Sequence, residues 1–297
     1  MQTEVCMAER KTIDELTLMD DYMFAQVMRE PRYLKPLLEY VLQARIQEIR
    51  LIDTQHSEKE GYDSKGIRLD LYVTDEKNTV YNVEVQTYTK KSLPKRMHYY
   101  QSVIDISILS PGKDYEELKK SIVIFLCNYD PFGSGRYLYT FENRCKEEPA
   151  LSLNDGTVKI VINTQGKTGG ISPELREIIT YLKNGQITGN FSRELDEAVN
   201  AVKSSEERRL EYMMLWERDN MMRAEGLEEG LARGKAEGLA EGKAEGLAEG
   251  KAEGIRGTVQ ILLKIGMNPN DITDQIMQQF HLSREEAGKY ISEASEN

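Results

Sequence analysis

The sequence predicts an α/β fold, since strand and helix signals alternate from Leu18 to Leu182. Three observations carry this reading. Apolar residues recur with period two at Ile67, Leu69, Leu71 and Val73, and again at Tyr81, Val83 and Val85, which marks a hairpin. Met97, Tyr100, Gln101 and Ile104 lie along one side of a helix over Pro94 to Ile108. Ser121 to Cys127 is a continuous apolar run, the mark of a strand covered on both faces.

The elements follow in order. Thr12 to Gln43 reads as helical, with Thr17 and Asp20 or Asp21 as caps and Met23, Phe24, Val27 and Met28 as its apolar face. Pro31 interrupts it, and a second helix runs from Arg32 to Leu42. Glu48 to Thr54 reads as a short strand and Asp53 to Lys65 as a polar loop. The hairpin comes next, with Asp75-Glu76-Lys77-Asn78 as its turn. After Cys127, Asn128 to Gly135 is a turn-rich loop, and Tyr137 to Phe141 and Val158 to Asn163 read as strands. Pro173 to Leu182 and Glu194 to Met222 read as helices.

The chain of 297 residues allows one large domain with appendages or two modest domains. No apolar run is long enough to cross a bilayer, and Met1 to Lys11 holds no signal-peptide core, so a cytoplasmic protein is expected. The cysteines (Cys6, Cys127, Cys145) and histidines (His56, His98, His281) are scattered, which excludes a zinc motif, a disulfide framework and a histidine-based metal site. A net charge of −11 argues against sequence-blind adhesion to nucleic acid. Its distribution is uneven, however. No acid lies between Thr87 and Ile104, where Lys90, Lys91, Lys95 and Arg96 cluster. By itself such a run reads as a solvated surface.

If Thr74 faces Val80, the hairpin register sets Asp70 opposite Glu84, and opposed residues have Cβ atoms about 5 Å apart. Two carboxylates so close call for a positive charge, and hard divalent cations take oxygen ligands. Gln86 lies on the same face. The bland alternative is a half-exposed hairpin with a polar outer side. Gly166-Lys167-Thr168 lacks the first glycine of a phosphate-binding loop, since Val161 stands there. Neither a nucleophile elbow nor a dinucleotide fingerprint is present.

The last part of the chain differs in character. From Gly226 to Gly254 glycine recurs every fourth residue. Each glycine costs a helix about 1 kcal/mol relative to alanine. Glu237, Glu241, Glu245, Glu249 and Glu253 stack as like charges four apart. The segment is either a flexible spacer or, as the recurrence of Leu227, Leu231, Leu239, Leu247 and Ile255 favours, a helix formed against a partner chain. Met213, Met214, Met221 and Met222 read as a packing face. Beyond the repeat, Asn268-Pro269 starts one helix and Ser283 with Glu286 caps another. Acids outnumber bases there, so a terminal cap or dimerisation element is expected in place of a DNA reader.

The ordered set of segments resembles the PD-(D/E)XK nucleases, and within them the recombination-promoting nuclease or transposase family. Leu18 to Met28 is similar to the family's opening helix, Arg68-Leu-Asp-Leu-Tyr-Val and Tyr81-Asn-Val-Glu-Val-Gln to its catalytic strands, and Arg96 to Asp105 and Val123 to Phe132 to the helix and strand that follow. The resemblance implies a restriction-endonuclease-like fold, a mixed central sheet flanked by helices, over residues 1–190. A connecting helix (191–225), the repeat (226–257) and a small helical unit (258–297) complete the expected organisation.

The resemblance further implies a DNA endonuclease of low sequence specificity that uses Mg²⁺, or Mn²⁺ in its place. Asp70 and Glu84 would be catalytic metal ligands, with Asp21 as a further acid. Gln86 falls where the superfamily usually has lysine; its amide orients water or phosphate but carries no charge. Lys90, Lys91, Lys95 and Arg96 would hold the DNA backbone, which positions without reading sequence, while Tyr99 and Tyr100 read as core. The neutral Gln86 motivates the rival reading, a catalytically weak or inactive DNA-binding or regulatory protein on a nuclease scaffold. Under either reading a homo-oligomer formed through the C-terminal region is expected.

Overall fold

A computed structural model describes residues 11–58, 67–88, 92–109 and 112–295. A 3-10 turn at Ile13–Glu15 precedes helices α1 (Asp21–Met28) and α2 (Pro31–Leu42). The single helical stretch expected from Thr12 is therefore confined to its later part. The reason is local: the N–H and hydroxyl of Thr17 both donate to the Asp20 carboxylate, at 2.7 and 2.9 Å, and close a turn before α1. Pro31 opens α2, where its missing N–H costs nothing.

Strand β1 (Ile49–Glu58) is longer than the predicted Glu48–Thr54, and the loop expected from Asp53 begins later. Residues up to Glu58 pair with β2 (Ile67–Asp75), ending on Glu58↔Ile67. As an edge strand, β1 has one unpaired side, which is where polar composition is tolerated. The rest of that predicted loop, 59–65, lies outside the described residues.

Strand β3 (Val80–Gln86) pairs antiparallel with β2, and Thr74 does face Val80. Helix α3 (Leu93–Ile108) then crosses over to β4 (Ser121–Cys127), which runs parallel to β3 and is buried along its whole length. β5 (Leu138–Phe141) and β6 (Thr157–Asn163) follow, with β6 parallel to β4 and β5 antiparallel to β6. The result is a mixed six-stranded sheet in the order β1-β2-β3-β4-β6-β5.

Helices cover both faces. On one, Leu71, Val83, Val85, Ile124 and Ile162 pack with α1, α2, α4 (Pro173–Asn184) and α5 (Asn190–Ser204). On the other, α3 buries Met97, Tyr100 and Ile104 against Val80, Phe125 and Val161. The far half of α3 is pinned to the start of β4. Asp105 accepts from the Ser121 hydroxyl at 2.8 Å, and the Gln101 amide donates to Ser121 Oγ.

The helix predicted over Glu194 to Met222 is divided at Ser205 between α5 and α6 (Glu206–Lys264). The chain forms two compact units, up to Leu215 and from Trp216 onward. The glycine repeat is helical throughout α6. In the second unit, Ile255 and Val259 pack with Ile272 and Ile276 of α7 (Pro269–Phe280) and Ala287 of α8 (Arg284–Ser295). Asn268 caps α7, and Ser283 and Glu286 form the predicted capping box of α8, with bonds of 2.8 Å from the Ser283 N–H and hydroxyl. Met213, Met214, Met221 and Met222, read as a packing face, are exposed in the single chain. Cys127 and Cys145 are free thiols. Among the described residues, no helix is long and apolar enough to cross a membrane.

The hairpin turn is held by one buried carboxylate. Asp75 accepts from the N–H groups of Lys77 and Thr79 at 2.9 and 2.8 Å and from the Tyr81 hydroxyl at 2.8 Å. Asn78 takes the left-handed conformation (φ 58°) that the turn requires. Replacing Asp75 by alanine strands a buried Tyr81 hydroxyl and frees the turn. Urea denaturation is expected to show a loss of about 2–3 kcal/mol, in the range for hydrogen bonds to a charged group.

Candidate active site

The site lies where β2 leaves the ladder. Paired residues run from Thr74↔Val80 to Leu71↔Val83. Past that point Leu69 joins the α3 side of the core while Leu71 and Val73 stay on the other, so the strict alternation breaks at Asp70. The two acids meet there through side chains and main chain. The Asp70 N–H donates to Glu84 Oε1 at 3.0 Å, and the Val85 N–H donates to Asp70 Oδ2 at 3.3 Å. Each carboxylate is thus tied to the other's strand.

Glu84 is fully buried on a strand that pairs on its other side with β4, where Phe125 stands opposite it. Burial, and then the charge of Asp70, push its carboxyl up to about 8, against the opposing pull of the Asp70 N–H, Arg96 and the Asn82 amide. Arg96, in the first turn of α3, supplies the counter-charge: its Nη2 donates to Glu84 Oε2 at 2.8 Å. Nη1 donates to Gln86 Oε1 at 2.6 Å and Nε to the Tyr100 hydroxyl at 2.8 Å. The guanidinium also lies over the rings of Tyr100 (4.9 Å) and Phe125 (5.2 Å). The Gln86 amide donates onward to the Tyr88 carbonyl at 2.9 Å.

Asp70, Glu84, Gln86 and Arg96 are therefore brought together. Lys95 is exposed beside them on α3, and Lys90 and Lys91 lie outside the described residues. Asp21 opens α1 on an exposed position and does not join the pair: among the described residues, no three or more His, Cys, Asp or Glu group closely enough to hold a metal ion. Tyr99 is 37% exposed, contrary to its reading as core, whereas Tyr100 is buried and receives Arg96. In sequence Arg96 is masked by the lysines beside it, which suggest a solvated strip. Its i,i+4 spacing to Tyr100 on a helix was the available signal.

The protein ligands that meet at this point are two carboxylates, Asp70 and Glu84. Both acids offer hard oxygen ligands of the type Mg²⁺ and Mn²⁺ take.

The raised Glu84 carboxyl has a consequence for metal-free protein. Its unfolded value is 4.5 and its folded value about 8. Between these, the folded state holds a proton that the unfolded state has released, so stability falls as pH rises through the window and levels off above it. Denaturant melts across that range are expected to show the decline, and Glu84→Gln to flatten it.

Residues 18–147 match the family model described as PD-(D/E)XK nuclease family transposase. Comparison with curated proteins and with solved structures gave no match. The matched segment contains both acids, Gln86, the four cationic residues that follow and the buried strand β4. With a mixed sheet that carries an opposed acid pair at the end of its central hairpin, residues 18–147 belong to the PD-(D/E)XK nuclease family transposases.

Proposed function

We propose that this protein is a divalent-metal-dependent endonuclease that hydrolyses DNA phosphodiesters with little sequence preference. The observation that carries the reading is the mutual tie between Asp70 and Glu84, two carboxylates from adjacent strands held at one point. Asp70 and Glu84 would hold Mg²⁺ or Mn²⁺. When bound, such an ion polarises a phosphoryl oxygen and lowers the pKa of a coordinated water. The chain's own residues do the rest. The Asp70 N–H fixes one Glu84 oxygen and Arg96 the other, so the carboxylate is oriented before substrate arrives. Lys95, with Lys90 and Lys91, would grip phosphates flanking the target, which gives position and no sequence reading. Asp21, at the start of α1, would be the further acid of the proposal.

Incubation of the purified full chain with supercoiled plasmid and Mg²⁺ or Mn²⁺ tests this. Nicked circles are expected. Asp70→Ala and Glu84→Ala are each expected to slow nicking by more than about 100-fold, the upper range for loss of a ligand's supporting partner. Equal nicking by parent and Asp70→Ala would assign the activity to a contaminant. The neutral Gln86 favours the rival, a DNA-binding protein without cleavage; it predicts salt-dependent DNA binding and intact plasmid at every metal concentration.

The C-terminal region would bring copies of the chain together. Leu227, Leu231, Leu239 and Leu247 are exposed along α6, which supports a helix-to-helix contact with a second copy. Light scattering is expected to give a larger species for the full chain than for a truncation at Ala224; equal monomeric masses would remove the idea.

A further inference from the structure

The third position of the acid motif, Gln86, carries no charge, yet the site holds a cation. We infer that Arg96, delivered from α3, is the phosphate-contacting cation of this site and does there what a charged residue at position 86 would do. This rests on the nuclease reading above and separates Arg96 from the strip of lysines with which it is contiguous in sequence.

Five features point to it. The guanidinium is seated between Glu84 and Gln86, at 2.8 and 2.6 Å, so its charge lies at the end of β3 and not on an outer surface. Its plane is fixed from below by Tyr100 and Phe125 and from the side by the Tyr100 hydroxyl. Among the described residues, three of the five guanidinium N–H donors meet an acceptor and two do not. The side chain keeps 24% of its surface exposed while Glu84 keeps none, so it is the part of the cluster that a phosphodiester can reach. Two N–H groups in a rigid fork match the geometry of a phosphate's oxygens. The location is also one that helix energetics disfavour. Lys95 and Arg96 stand in the first turn of α3 with no acid among them, where the helix dipole favours negative charge. The positive end of α3 and the two cations together make that turn a place for an anion.

Arg96 does not exchange its proton at ordinary pH, so its contribution is charge and orientation. Gln86 then becomes a positioning residue. Its Oε1 receives Arg96 while its Nε2 is tied to the Tyr88 carbonyl, and a lysine in its place would put a second cation against the first.

The test uses the full chain and a short DNA duplex, with binding read by fluorescence anisotropy in an Asp70→Asn background over a range of salt. Each phosphate contact contributes about 0.9 to the slope of log K against log salt. Arg96→Gln is expected to lower the slope by about one contact, and Gln86→Lys combined with Arg96→Gln to restore it. In the Asp70 parent, nicking is expected to lose at least tenfold in kcat with Arg96→Gln and to regain most of it in the double variant, with KM changed less than threefold. An unchanged slope in a folded Arg96→Gln protein, or a double variant no better than the single, would reduce Arg96 to a strut under Glu84. If Arg96→Gln does not fold, Arg96→Lys and the double variant carry the test. Both keep one charge beside Glu84 and are expected to keep the parental slope; a slope lower by one contact in either overturns the inference. A parent that binds DNA and never nicks it sinks the nuclease reading alone, since the slope still reports on Arg96. A parent that binds no DNA sinks both.

Discussion

A carboxylate with no solvent access, set in the middle of a sheet, governs this fold. Glu84 occupies a place on β3 where its neighbours Val83 and Val85 are apolar and its β4 partner is Phe125. A buried acid in such a position is costly unless it is paired and hydrogen-bonded. The surrounding structure meets that demand from two directions, through the main chain of Asp70 on β2 and the guanidinium of Arg96 on α3. Neither partner is local in sequence to Glu84: Asp70 ties β3 to β2 within the hairpin, and Arg96 ties α3 to the hairpin. The placement of α3 follows from this at one end and from the Asp105, Gln101 and Ser121 contacts at the other.

The turn at the opposite end of the hairpin belongs to the same constraint. A strand that slips by one residue turns every side chain to the other face. In this hairpin such a slip would carry Glu84 toward the α1 side of the sheet and bring Val83 or Val85 beneath Arg96. Asp75 opposes the slip by holding Lys77, Thr79 and Tyr81 around one carboxylate. One buried acid sets the register and a second uses it, and the short ladder between them, Thr74↔Val80 to Leu71↔Val83, is too brief to enforce register without the turn.

Much of this architecture was legible in residue spacing, and the exceptions have physical causes. Period two located β2 and β3, and an unbroken apolar run located β4 to the residue, because burial on a sheet face leaves a direct imprint on composition. β1 left a weaker imprint, since it is an edge strand with one side unpaired. The acid pair was legible as a juxtaposition, but not in its form, since Asp70 and Glu84 meet by side-chain to main-chain bonds where the ladder has ended. Arg96 was hidden by its neighbours: three nearby lysines suggest a solvated surface, while its partners are residues 84, 86 and 100. The repeat in α6 is the sharpest departure from propensity. Glycine at every fourth position disfavours a helix, and among the described residues no ion pair lies between Arg223 and Gly254 to offset it.

The relation between positions 86 and 96 also bears on how an acidic chain would meet the polyanion of the proposed function. The net charge of −11 is a sum over the whole molecule, whereas screening at physiological salt limits each charge to a range of about 8 Å. The segment from Thr87 to Ile104, which follows the strand of Glu84, contains four cations and no acid. Among the described residues, Arg96 is the cation tied to Glu84 and Gln86, at 2.8 and 2.6 Å, and the Gln86 oxygen accepts from it. A neutral amide at 86 is therefore what a cation arriving from α3 requires. Glutamine in that place is consistent with a site whose positive charge comes from a helix, and the absence of lysine from β3 is no sign by itself that the site lacks it.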